Sequence, residues 1–174
     1  MQEKAKFFPA APVLILVAVL SMISIMGCTH TISKEARDMA VNDIPFQWIA
    51  ENPERYRGAF VIWGGEIINL QSLGEGTLIE VLQRPLGRSE EPDETKISGG
   101  RFLVLYDAGF LDPALFQRGV KITVAGIVEG RRMLRSGSVV QMGELNYAYP
   151  YLIAREVYLW ENERMMNQYL YPYY

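Results

Sequence analysis

The first polarity boundary comes early. After Lys4 and Lys6 the chain carries no charge from Phe7 to Gly27. A positive start, an apolar stretch and small residues at its end form the layout of a secretory signal peptide, expected to be cut from the mature chain. The most apolar part, Val13 to Leu20, is short for a membrane span, whereas the whole uncharged run is long enough to cross a bilayer. Residues 28–43 then turn polar and read as a tether, ending at most in a short helix. Ile44 to Arg57 is a turn-rich entry segment with room for a helical turn over Phe46 to Glu51, closed by Pro53.

From Gly58 onward the pattern has the period of β structure. Ala59 to Leu70, AFVIWGGEIINL, is rich in β-branched and aromatic residues, with Gly64-Gly65 in its middle. A glycine pair inside a strand marks a bulge or a sharp bend, as at a barrel corner. Gly74 and Gly76 close a turn into a second strand, Thr77 to Arg84, whose Thr77, Ile79 and Val81 share one face. A polar loop, Pro85 to Gly100, leads to a third strand, Arg101 to Asp107. Asp112, Pro113 and Gly119 have the spacing of an N-cap, first-turn proline and C-terminal stop, which predicts a short helix over Leu111 to Gly119. Val120 to Glu129 alternates cleanly as a fourth strand. A basic loop, Gly130 to Gly143, carries Arg131, Arg132 and Arg135. Leu152 to Trp160 is the fifth strand, with Asn146 to Tyr151 leading into it, and residues 161–174 form an aromatic tail.

Five strands with one short helix between the third and fourth form the connectivity of an OB-like, Greek-key barrel. The expected fold is therefore mainly β: a small five-stranded barrel over residues 44–160, preceded by a signal peptide (1–27) and a tether (28–43). Another small Greek-key barrel is the alternative.

Composition narrows the chemistry. The 174 residues contain one cysteine and one histidine, Cys28 and His30. No internal disulfide and no CxxC zinc or redox site can be built from them. The formal net charge is -3, and it becomes -4 once Glu3, Lys4 and Lys6 leave with residues 1–27. That balance gives no basic footprint for a nucleic-acid backbone, so no nucleic-acid partner is expected. Ile25-Met26-Gly27-Cys28 resembles the bacterial lipobox, a branched aliphatic at -3 and a small residue before the cysteine, with Met26 departing from the usual small residue at -2. By that resemblance the chain is cut between Gly27 and Cys28 and Cys28 carries lipid; a plain membrane anchor with an incidental cysteine is the alternative. Thr29 stands where an Asp would act as an inner-membrane retention signal, which by the same resemblance points to the outer membrane with the domain facing the periplasm.

A wider resemblance joins these features. The lipobox Cys28 is followed in order by Asn52-Pro53, Tyr56-Arg57-Gly58, Val61-Ile62-Trp63-Gly64-Gly65, Arg84-Pro85-Leu86, Gly99-Gly100-Arg101-Phe102 and Phe110-Leu111-Asp112-Pro113. Ile122-Thr123-Val124-Ala125-Gly126, Tyr149-Pro150 and Leu159-Trp160 complete the series. Taken together these phrases resemble the Slp (starvation lipoprotein) family of Gram-negative outer-membrane lipoproteins. The resemblance implies an anchored envelope protein tied to starvation or stationary-phase stress, with no assigned enzymatic activity, and Cys28 as its one transferable functional residue.

No catalytic motif stands out. The chain lacks GxSxG, HExxH and P-loop patterns, and its glycine pairs precede no helix. Glu90, Glu91, Asp93 and Glu94 cluster without the spacing of a calcium loop. Neither enzyme activity, cofactor nor metal is expected. The remaining candidate is a ligand face: Arg131, Arg132 and Arg135 with Tyr147 and Tyr149 could supply cations and stacking rings for an anionic glycan or other envelope ligand. The plainer reading has those tyrosines on one strand face against the core and the arginines in solvent. The leading expectation is thus a non-catalytic lipid-anchored protein meeting an envelope protein or glycan partner; a periplasmic binding module is the alternative.

Overall fold

The computed structural model describes residues 30–134 and 147–160. Five strands form a closed barrel: β1 Phe60–Leu73, β2 Gly76–Arg84, β3 Arg101–Tyr106, β4 Lys121–Leu134 and β5 Tyr147–Leu159. Their order around the barrel is β1-β2-β3-β5-β4, returning to β1. All neighbours run antiparallel except β3 and β5, which pair in parallel through Leu103 to Leu105 against Tyr151 to Ile153. The mainly β, OB-like expectation is met in strand number and barrel closure.

Alternation decides which side chains fill the barrel. Ile79 and Val81 of β2, Phe102 and Val104 of β3, Ile122 and Val124 of β4, and Leu152 of β5 are all 0% exposed. Three irregularities let the long strands curve. Register shifts occur between Ile67 and Asn69 in β1, and at Ala125/Gly126 and Val128/Gly130 along β4. Gly65 allows the close approach that β1 needs, because a Cβ there would lie 2.0 Å from the Leu82 carbonyl oxygen.

One end of the barrel is capped by helix α2, Phe46–Glu51, and a 3-10 turn, Pro53–Tyr56. Phe46 and Ile49 drop into the core, and the Phe46 ring meets Trp63 and Phe102 edge-on at centroid distances of 4.7 and 6.0 Å. Such pairs contribute about 0.5–1.5 kcal/mol beyond area burial.

Three local expectations are corrected. Leu111 to Gly119 forms turns and no helix. Asp112 does cap locally, accepting the Ala114 N–H at 2.8 Å. However, Leu111 and Phe116 both pack on the core, a spacing of five that no helix face provides. Gly119, at φ +84°, then donates to the Ile67 carbonyl and launches β4. Second, Arg131 and Arg132 lie within β4 and not in a loop. Third, the described part of the tether is docked on the barrel. Helix α1, Lys34–Met39, places Ala36, together with Ile32 just before it, against Ala125, Phe60 and Ile62 on the outer face of β1 and β4.

Candidate functional site: the clamped N-terminal segment

Gly27, Cys28, Arg135 and residues 161–174 lie outside the described residues, as does the Tyr147 side chain. Of the arginines and tyrosine that can be placed, Arg132 and Tyr149 stand opposite each other on β4 and β5, and Arg131 does not join them. Neighbours on a strand, Arg131 and Arg132 point to opposite sides. The Arg131 guanidinium donates to the Glu51 carbonyl at 2.9 Å, and its N–H donates to Glu54. Arg132 lies over the Tyr151 ring at 4.9 Å, donates to the Tyr151 hydroxyl at 2.7 Å and pairs with Glu75 at 3.3 Å. Tyr149 is 9% exposed, packs with Leu78 and Leu103, and donates to Glu80, which also pairs with Arg101. Burial foremost, with the Glu80 charge, pushes the Tyr149 hydroxyl above the ordinary tyrosine pKa, so it stays a neutral donor.

The acidic loop is likewise engaged internally. Lys121 pairs with Glu91 and Glu94, and Asp93 accepts from the Thr95 hydroxyl and N–H. Among the described residues no group of three or more His, Cys, Asp or Glu side chains is arranged to hold a metal.

The most heavily built polar site is one the sequence did not single out. Glu90 sits at φ +67°, the one non-glycine residue at positive φ among those described. Such a conformation costs of order 1 kcal/mol and persists where surrounding contacts impose it. Those contacts are plain. Its Oε2 accepts from the Thr31 N–H (3.1 Å), the Thr31 hydroxyl (2.8 Å) and the Ile32 N–H (3.0 Å). His30 Nδ1 lies 3.6 Å and Arg37 Nη1 3.8 Å from Oε1. The Glu90 carbonyl accepts from the buried Thr123 hydroxyl, whose oxygen in turn accepts from the Trp160 indole N–H. Burial of the Glu90 carboxyl would raise its pKa; the hydrogen bonds from Ile32 and Thr31, with the Arg37 charge, outweigh it and hold the group below the usual range.

A second carboxylate completes the grip. Glu156 of β5 accepts from the Ser33 N–H at 2.9 Å and from its hydroxyl at 2.5 Å. The same hydroxyl accepts from the Ala36 N–H at 3.1 Å and so N-caps α1. Arg37 reaches back to the Ile32 carbonyl at 2.6 Å. The segment that begins two residues after Cys28 is therefore fastened to the barrel at successive residues.

Comparisons with known proteins place the chain in a family. The family described as Outer membrane lipoprotein Slp family matches residues 25–174. The chain is 28% identical over 116 residues to Outer membrane protein Slp of Escherichia coli (strain K12), covering 66% of this chain and 61% of that protein, so it spans about three fifths of the relative's length. Among solved structures it is similar to the mitochondrial single-stranded DNA binding protein Rim1 of S. cerevisiae (11% identity, 60% of this chain, 97% of that one, TM-score 0.36). An OBody bound to hen egg-white lysozyme is a second (16% identity, 60% and 84% covered, TM-score 0.32). With scores this low, the barrel assignment stands on strand order and register. The family match spans the clamped segment and the barrel alike: the chain belongs to the outer membrane lipoprotein Slp family and is a protein of the outer membrane.

Proposed function

We propose that the protein is a non-catalytic envelope lipoprotein, anchored by lipid on Cys28, whose barrel is held close against the membrane and faces the periplasm. The observation that carries this reading is the double carboxylate clamp on residues 31–33, which starts three residues after Cys28. A domain hung on a long free tether has no use for such a clamp; a domain held at a fixed distance from its anchor does. Cys28 follows an uncharged run and is the sole thiol, which supports lipidation. Two or more acyl chains on one residue give durable attachment, whereas a single chain gives marginal attachment. A role in starvation or stationary-phase stress rests on the resemblance to the family.

The binding-module reading finds less support, because Arg131 and Arg132 are paired within the barrel and Tyr149 is buried. Nucleic acid is disfavoured by the net charge of -3. The test is Cys28→Ala: the variant should lose its membrane retention or keep an uncut leader. Unchanged mature mass together with unchanged retention would refute the anchoring.

A further inference from the structure

We infer that the loop between β3 and β4, residues 107–119, is a membrane contact: Phe110 and Leu115 enter the headgroup layer of the bilayer that holds the Cys28 lipid. This rests on the anchoring proposed above and adds which end of the barrel meets the membrane.

The chain between Cys28 and His30 is short. Two residues reach at most about 7 Å even when extended, and from Thr31 onward the segment is fastened to Glu90 and Glu156. Lipid on Cys28 therefore pins whichever end of the barrel lies next to His30. That end can be identified. Glu90 hangs on Thr123 and Glu91 on Lys121, both at the start of β4. A surface depression beside it is lined by Thr31, Ile32, Tyr106, Leu111 and the end of β5, including Tyr158. Since β3 ends at Tyr106 and β4 begins at Lys121, the loop joining them leaves from the same end as the anchor.

This loop carries apolar side chains that the fold leaves uncovered. Phe110 is 73% and Leu115 46% exposed, although neighbouring Leu111 and Phe116 pack inward. Beside them Tyr158 is 39% exposed and stacks edge-on with Trp160 at 5.0 Å. Large aromatic residues gathered at one end suit the boundary between water and hydrocarbon. Asp107, Asp112, Arg118 and Arg155 are exposed around the same end, with mixed sign. Attraction to the bilayer would therefore be apolar, not coulombic, and should change little with salt. The opposite end, capped by α2 with Trp48 exposed, would face away from the membrane.

The test uses the full chain, purified from membranes and reconstituted into phosphatidylethanolamine/phosphatidylglycerol vesicles. With the Cys28 thiol acylated, Phe110→Cys, Leu115→Cys and Trp48→Cys each offer a single site for a nitroxide label. Expected is high oxygen and low nickel-chelate accessibility at 110 and 115, with the reverse at 48. The preference for oxygen over chelate should differ between positions 110 and 48 by on the order of tenfold, as for a side chain in the interface compared with one in water. Labels at 110 and 115 as open to the chelate as position 48, on protein that still floats with the vesicles, overturn the inference and leave the anchor standing. Labels shielded from both reagents place another protein segment over the loop and also overturn it. Unsubstituted protein that accepts label at Cys28 and fails to float overturns the anchoring and this inference with it.

Discussion

Replacing Glu90 with alanine is the sharpest perturbation of the clamp. The substitution removes three hydrogen bonds to one carboxylate, from Thr31 N–H, Thr31 hydroxyl and Ile32 N–H. Hydrogen bonds to a charged group contribute about 1.5–3 kcal/mol each where well buried. Here the donors are partly exposed and regain water, so about 1 kcal/mol each, or about 3 kcal/mol together, is the reasonable scale. The remaining grip of Glu156 on Ser33 and the burial of Ile32 and Ala36 limit the effect to the segment. Hydrogen exchange on the full chain should then show the amides of residues 32–37 exchanging about a hundredfold faster, since about 1.4 kcal/mol is a factor of ten. Barrel amides such as those of Val104 and Val124 should be unchanged. Glu90→Gly separates the two roles of the residue: it loses the carboxylate but relieves the positive φ, so its loop should be about 1 kcal/mol more stable than that of Glu90→Ala. Equal exchange of residues 32–37 in the wild type and in Glu90→Ala would refute the clamp.

The pH dependence follows with a definite sign. Glu90 has a folded pKa below its unfolded value, so its contribution is complete above the ordinary glutamate range, about pH 4.3, and is lost as pH falls through the lower folded value. Protection of residues 32–37 should be flat near neutrality and fall in that acid window; Glu90→Gln should remove most of the fall. Gly65→Ala should lower stability by about 3 kcal/mol or more, read as a drop in Tm, because the new Cβ meets the Leu82 backbone and no flexible side chain can yield. Ile79→Ala should cost about 3–4 kcal/mol in a denaturant melt, as a large-to-small change at a site with 0% exposure. Arg132→Ala should cost only about 1 kcal/mol, from its ring and hydroxyl contacts with Tyr151, and leave the barrel folded.

Much of the barrel was legible because strands with one face in a core must alternate. The five runs predicted from that alternation match the strands, with the ends of β1, β4 and β5 extending further than expected. The glycine pair at 64–65 reads as a bulge or sharp bend, but the register runs unbroken there and shifts at Ile67/Asn69; Gly65 is needed for the close Leu82 backbone instead. The misread helix shows the limit of local signals: Asp112-Pro113 starts a turn, but Leu111 and Phe116 must both reach the core, and tertiary packing overrides the cap. The docked segment had a readable sign in Ile32 and Ala36, an apolar residue just before the N-cap Ser33 and one in the first turn of the helix. Among eight polar neighbours in THTISKEARD that pair was too sparse to separate from a tether. Glu90 was illegible for a different reason, since its partners lie 58 and 59 positions away and no local spacing encodes them. The basic cluster misled because charge alone does not say whether an arginine is already paired, as Arg131 and Arg132 are.

Whether Cys28 ties the clamped barrel to the membrane is read from mass spectrometry of the N-terminal peptide of envelope-purified protein. Expected is a mature chain that begins at Cys28 and carries acyl groups there, followed by Thr29 and His30. An unmodified Cys28, within a chain that still carries residues 1–27, would contradict it.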